Sequence, residues 1–215
     1  MRPVLAFVLV AAAACGDHGS APGVDGSVTG NPGMAILWRT QGELPGVVTP
    51  TITVTSAAFK VHDLRVIGDA GGGDSRTTTD HVNVAWTAAG APSPVLFPDA
   101  PTGLYSKVLF ELDGKILDSS YDLTGTVVVA GQNKPFAIRD LDEIQIAQTI
   151  SAELVPGGHT DVVLVLDLEP ALATIDFTAL PQDDDTLLLD DSSTQMPPFR
   201  AALRTAFTVA PSAAQ

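Results

Sequence analysis

The stretch Gly103-Leu104-Tyr105-Ser106-Lys107-Val108-Leu109-Phe110-Glu111-Leu112 decides the fold class. Leu104, Ser106, Val108, Phe110 and Leu112 share one parity; Tyr105, Lys107, Leu109 and Glu111 share the other. An apolar stripe that returns every second residue is the pattern of a strand with one face on a core, because successive side chains of extended backbone point to opposite faces. Asp113-Gly114 follows, a pair suited to a tight hairpin, and predicts a return strand at Lys115-Ile116-Leu117.

The same period extends in both directions. Upstream, Ile52, Val54, Phe59 and Val61 alternate with Thr, Ala and Lys. Leu64 and Val66 then fall on the parity opposite to Phe59 and Val61, which predicts a bulge or bend near Lys60–Asp63. Val82, Val84 and Trp86 alternate with His81, Asn83 and Ala85. Downstream, strands are expected at Thr126–Ala130, Phe136–Arg139, Ile144–Leu154 and Asp161–Leu168, the last two joined by a turn at Pro156-Gly157-Gly158. Val162–Leu168 is apolar on both parities, as a central strand covered on both faces would be. Glu169-Pro170 opens a short helical turn running to Asp176. Phe199, Leu203 and Phe207, spaced four apart, fit one stripe of a helix over Pro198–Phe207, although Thr208-Val209 equally fits a closing strand. The expectation is an all-β chain: an antiparallel β-sandwich of about seven to nine strands with little helix.

Two motifs carry a resemblance. Pro101, Gly103 and Tyr105 form a Pro-x-Gly-x-Tyr element ahead of the decisive strand, and Leu164-Val165-Leu166-Asp167 is a Leu-x-Leu-Asp strand end. With the strand Thr53–Val66, these resemble a family of bacterial lipoprotein domains of unknown function that have a transthyretin-like or carboxypeptidase-regulatory-like sandwich. The resemblance covers roughly Thr51–Phe177. It implies a β-sandwich and carries over no catalytic residue.

The N-terminal end speaks to location. Met1-Arg2-Pro3 precedes an unbroken apolar run, Val4–Ala14, and the only cysteine of the chain, Cys15, stands directly after it. A basic start, a short apolar region and small residues before a cleavage point form a secretory signal. The run is shorter than the ~20 residues a membrane-spanning helix needs. With the cysteine in place, the segment resembles a bacterial lipoprotein signal peptide, which implies cleavage before Cys15 and lipid attachment to it. Ala12 occupies the position where such signals usually carry Leu. The alternative is a plain secretory signal cleaved after Ala14. Gly16–Gly33, rich in Gly, Ser, Pro and Asp, reads as a tether with a reach of ~23 Å. The expected organisation is therefore a signal over residues 1–14, a tether over 15–33 and one sandwich domain over 34–215, with an acidic loop at 183–191.

Charge and composition narrow the partners. The chain has 11 Lys and Arg against 25 Asp and Glu; loss of Arg2 with the signal leaves ten against 25, a formal charge of −15. An acidic surface is repelled by phosphate backbones, so no nucleic-acid partner is expected, and membrane contact would run through the N-terminal lipid rather than a basic face. With a single cysteine, no intramolecular disulfide is possible.

Catalytic and metal-binding chemistry each require particular residue types at particular spacings. There is no Gly-x-Ser-x-Gly elbow; Gly73-Asp74-Ser75 sits in a glycine-rich loop with no Asp-x-x-His after it. His62-Asp63 and Asp80-His81 approach one another if their strands pair, yet the spacing fits no established zinc motif. Asp183, Asp184, Asp185, Asp190 and Asp191 are the candidate calcium ligands, since hard cations take several carboxylate oxygens; the EF-hand spacing is missing, and a solvated acidic connector is the competing reading. Trp38, Trp86, Tyr105 and Tyr121 are the aromatics that would stack on a sugar; Trp86 is expected in the core and Tyr121, flanked by Ser119, Ser120 and Asp122, at the surface.

The sequence reading is a non-enzymatic, lipid-anchored module of the cell envelope, at the outer membrane, its periplasmic face or the cell surface. It uses no cofactor and meets an envelope protein or polysaccharide. A carbohydrate-binding or calcium-dependent adhesion module is the alternative, and a hydrolase stands behind both.

Overall fold

In the computed structural model the described residues are 32–68, 74–114 and 118–210. The decisive stretch is strand β6 (Gly103–Leu112) of a nine-stranded sheet. At the centre of that sheet lies β3 (Ile52–Gly68), long enough to pair with two strands on each side. One side holds β2 (Gly46–Thr49) and β4 (Thr78–Trp86); the other holds β6 and β7 (Tyr121–Val129). Beyond β6 lies β9 (Ile144–Leu154). Beyond β7 lie β8 (Gln132–Asp140), β12 (Thr186–Leu189) and β11 (Gln182–Asp183). A second sheet runs in the order β13 (Phe207–Val209), β10 (His159–Leu166), β1 (Gly33–Thr40) and β5 (Val95–Phe97).

The all-β sandwich is therefore present, built from thirteen strands among the described residues rather than the seven to nine read from sequence, because several are too short to show a period. Pairing is mainly antiparallel. Two ladders are parallel, β1 with β10 and β12 with β8, and each closes a long crossover.

Why β3 is so long follows from its bulges. Ile52 and Val54 are buried on one parity, Ala57, Phe59 and Val61 on the other, and Leu64 and Val66 on the first again. The ladder shifts register between Val54 and Ser56 and again between His62 and Arg65. At the second shift Asp63 takes φ +49, the extra residue of a bulge, and accepts a hydrogen bond of 2.7 Å from the Arg65 guanidinium. The bend expected near Lys60–Asp63 is this bulge. The decisive strand has one as well: its register shifts between Tyr105 and Lys107, so Tyr105 is buried and Leu104 is 57% exposed, opposite to their expected faces. Val108, Phe110 and Leu112 keep the expected face. The hairpin partner 115–117 lies outside the described residues, and β6 has both edges occupied by β3 and β9.

The two sheets close over aromatic rings. Trp38 of β1 meets Phe110 edge-on at 5.9 Å between centroids; Phe207 of β13 meets Phe110 at 5.4 Å and Phe59 at 5.5 Å. Such edge-to-face contacts add specific attraction to the area buried. The sheets also meet at the outer edge of β9, where the Gln148 side chain donates to the Phe207 carbonyl and the Thr160 hydroxyl to the Glu153 carbonyl. β10 is interior to its sheet, as expected; only Val162, Leu164 and Leu166 are fully buried, while Val163 and Val165 are half-buried.

A helical segment covers the other half of the large sheet. Glu169–Leu172 is the short helix α1, started by the Asp167 carboxylate, which accepts from the Glu169 N–H. A 3-10 turn, Phe177–Ala179, sets Phe177 against Phe136 of β8. Helix α2 (Met196–Ala206) buries Met196, Phe199, Leu203 and Ala206. The chain then switches to β13 at Phe207, so the helix stripe and the closing strand are both realised and meet at one residue.

Candidate functional site

Buried polar chemistry concentrates where α2 docks. Asp140, at the end of β8, is 1% exposed. Its carboxylate accepts from the Tyr121 hydroxyl at 2.7 Å, from Arg200 Nε and a terminal nitrogen at 2.6 Å each, and from the Asp142 N–H at 3.1 Å. Arg200 also pairs with the exposed Asp142. Burial pushes the Asp140 carboxyl up, yet the Arg200 fork, the Tyr121 hydroxyl and the Asp142 N–H outweigh it and hold the group below the ordinary carboxylate range. Burial, followed by the adjacent Asp140 charge, pushes the Tyr121 phenol far up, so it stays protonated and donates to the Asp140 carboxylate. The cluster is therefore a fully engaged pin that holds a helix onto a sheet; a bidentate Arg–carboxylate pair fixes both position and angle. Tyr121, expected at the surface, is 1% exposed. Its flanking serines and aspartate misled, because Ser120 is also buried and the ring lies between Phe59 and Phe199.

A second polar constellation lies on the outer face of the large sheet. His62 pairs in register with His81 on one side and with Glu111 on the other, and Glu111 in turn with Gln145. The two imidazoles are in contact, His81 Nδ1 to His62 Nε2 at 3.1 Å, with ring centroids 4.7 Å apart. His62 is buried beneath this row and His81 is exposed. The approach expected of His62-Asp63 and Asp80-His81 is thus made through the two histidines, while Asp63 turns to Arg65.

The acidic tract is arranged differently from a cation loop. Asp183 and Thr186 pair across a two-residue turn in which Asp184 and Asp185 take φ +44 and +69, the signature of a tight hairpin. Asp190 accepts from the Ser192 N–H and hydroxyl, and so starts the next turn. The strand Thr186–Leu189 stands between the two groups, a separation of ~13 Å, against the ~2.4 Å at which each oxygen must reach one calcium ion. Asp183, Asp184, Asp185, Asp190 and Asp191 do not converge, and the acids at 183–185 serve turn geometry. Among the described residues no group of three or more His, Cys, Asp or Glu side chains is arranged to hold a metal ion.

Other sequence candidates resolve in the same way. Asp74 accepts from the Arg76 side chain and N–H, which draw its carboxyl down to about 2, and it caps the turn Ser75–Thr77; it orients no histidine. Trp38, Trp86, Tyr105 and Tyr121 are all buried, so none forms a stacking platform for a sugar. The Tyr105 hydroxyl donates to the Pro101 carbonyl at 2.5 Å, which gives the Pro-x-Gly-x-Tyr element a local structural purpose. His159 contacts Asp161 at 2.7 Å along β10, beside Thr160, whose hydroxyl is taken by Glu153. His18 and Cys15 lie outside the described residues. Among the described residues no helix is long and apolar enough to cross a membrane.

Sequence reasoning missed the Asp140–Arg200 pin, because its partners lie 60 residues apart on a strand end and a helix. The local hint was Arg200, directly after the buried Phe199 of the helical stripe. No family model, curated protein or solved structure matches the chain.

Proposed function

We propose that this chain is a lipid-anchored cell-envelope protein whose β-sandwich is held at a membrane surface as a non-catalytic binding or structural module. The observation that carries this reading is Cys15, placed directly after the apolar run Val4–Ala14 and a basic start. Two features support it. The first strand of the described residues begins at Gly33, 18 positions after Cys15, and the intervening sequence is rich in Gly, Ser, Pro and Asp. The most buried charge, Asp140, is engaged by four donors that fix a helix, and it is not poised for proton transfer.

Attachment follows from acyl-chain burial at ~0.8 kcal/mol per CH₂; two or three chains hold a protein essentially permanently. The occupant of the displayed surface is an envelope protein or polysaccharide.

The test is expression in a bacterial host with an alkyne-bearing fatty acid, followed by mass spectrometry of the N-terminal peptide. The expected result is a mature chain that begins at acylated Cys15 and partitions with membranes, and a Cys15→Ser variant that carries no label and becomes soluble. A chain that starts elsewhere, or that starts at an unmodified Cys15, would refute the reading. Protease shaving of intact cells then separates display on the cell surface from the periplasmic face.

A further inference from the structure

From the His62–His81 contact we infer a surface chelate site for a late first-row divalent transition-metal ion, with His62 Nε2 and His81 Nδ1 as the two protein ligands. Two nitrogens each ~2.05 Å from an ion and separated by the observed 3.1 Å subtend ~98° at the metal, between the ~90° of a square-planar site and the ~109° of a tetrahedral one. Of the two rings, the exposed His81 is the one with room to turn its lone pair toward that vertex.

Three further observations favour occupancy. The histidines are register partners on adjacent antiparallel strands, so the ladder fixes their spacing and little ordering entropy is lost on binding. His62 is only 9% exposed, which restrains its ring before any ion arrives. The surrounding charge is also suitable. Glu111 is the neighbour of His62 on the far side, and Lys60, two residues along β3, is neutralised by its ion pair with Asp118. The remaining coordination positions stay open to water or to a donor from a partner. Imidazole ligands select copper, nickel and zinc over calcium and magnesium, and the order of affinities places Cu²⁺ tightest. This site is independent of the acidic hairpin and of the N-terminal cysteine.

The experiment uses the full chain stripped of metal, titrated with Cu²⁺, Zn²⁺ and, as a hard-ion control, Mg²⁺. Thermal melting and the electron paramagnetic resonance of the copper form are recorded for wild type, His81→Asn and His62→Asn. At a hundredfold excess over Kd a single native-state site is expected to raise Tm by about 5–10 °C with Cu²⁺ or Zn²⁺, with no shift from Mg²⁺. The copper spectrum is expected to show splitting from two imidazole nitrogens. His81→Asn, at an exposed position that leaves the fold intact, is expected to abolish both signals, and it carries the test if His62→Asn fails to fold. A shift that persists in His81→Asn, as binding at His18 or Cys15 would produce, overturns the assignment. So does a wild-type chain that gives no shift at millimolar Zn²⁺.

Discussion

Replacing Asp140 by Asn removes the charge at the centre of the pin and leaves the shape nearly unchanged. The wild-type carboxylate accepts four hydrogen bonds, two of them from the Arg200 fork at 2.6 Å. Removing one partner of a buried ion pair costs about 3–5 kcal/mol, chiefly because the other charge is left uncompensated. Arg200 is 20% exposed and keeps Asp142, whose side chain is 61% exposed, so the lower end applies and the expected loss is about 3 kcal/mol. In a domain of this size that corresponds to about 6–12 °C in Tm. The pH dependence provides an independent check. A carboxyl whose folded pKa is depressed contributes its full share above the unfolded value, about 4, and loses that share as pH falls through the folded value. The gap between wild type and Asp140→Asn should therefore be widest at pH 5–7 and narrow below pH 4. Urea unfolding followed by the fluorescence of buried Trp38 and Trp86 measures both quantities. A loss under about 1 kcal/mol at pH 7, or a gap that does not change down to pH 2.5, would show that the cluster does not hold α2 in the way its geometry implies.

Further substitutions probe the frame. Gly125→Ala would press a methyl group onto the Thr53 carbonyl and within 2.7 Å of the Phe136 ring, so unfolding free energy should fall by about 2–3 kcal/mol in chemical denaturation. Phe207→Ala removes the ring that touches both Phe59 and Phe110 at the seam, at an expected cost of about 3–5 kcal/mol measured the same way. Ala130 takes φ +51 in the turn between β7 and β8, a conformation glycine adopts without strain, so Ala130→Gly should raise stability by about 0.5–1 kcal/mol; a lower Tm would contradict this. Tyr105→Phe loses one hydrogen bond to Pro101 and should cost about 1 kcal/mol while leaving the fold unchanged by circular dichroism.

Strand periodicity was legible wherever large apolar residues marked both sides of a parity change. Val61 and Leu64 revealed the bulge at Asp63 in this way. The shift between Val54 and Ser56 was hidden because the residue that resumes burial is the small Ala57. In β6 the pattern misled for a different reason: Leu104 is as apolar as Val108, and Tyr105 carries a hydroxyl that suggests solvent, so the bulge near Ser106 left no trace. The His62–His81 approach was readable because a hairpin pairing fixes register locally. The Asp140–Arg200–Tyr121 pin was not, because its three members come from two strands and a helix whose juxtaposition is settled only when the large sheet is covered. The acidic tract illustrates a third case. Charge density at 183–191 suggested a cation, whereas Asp184 and Asp185 are required by a turn with positive φ at both central positions.

These placements constrain how the surface formed by the described residues can meet a partner. Every described Trp, Tyr and Phe ring is committed to the core. Recognition of a neutral polysaccharide by ring stacking therefore has no platform among the described residues, and the aromatic area that such binding uses is spent on closing the two sheets. What faces outward is polar and acidic, with isolated exposed apolar residues such as Val47, Leu104 and Leu141 on different strands and loops. An acidic surface steers cationic groups and metal ions toward itself and repels anionic ones. A macromolecular partner of this face should accordingly present basic or hydrogen-bonding groups, and its binding should weaken as salt rises, since exposed charges more than ~10 Å apart are screened at 0.1 M ionic strength. Binding that strengthens with salt would instead require an apolar contact.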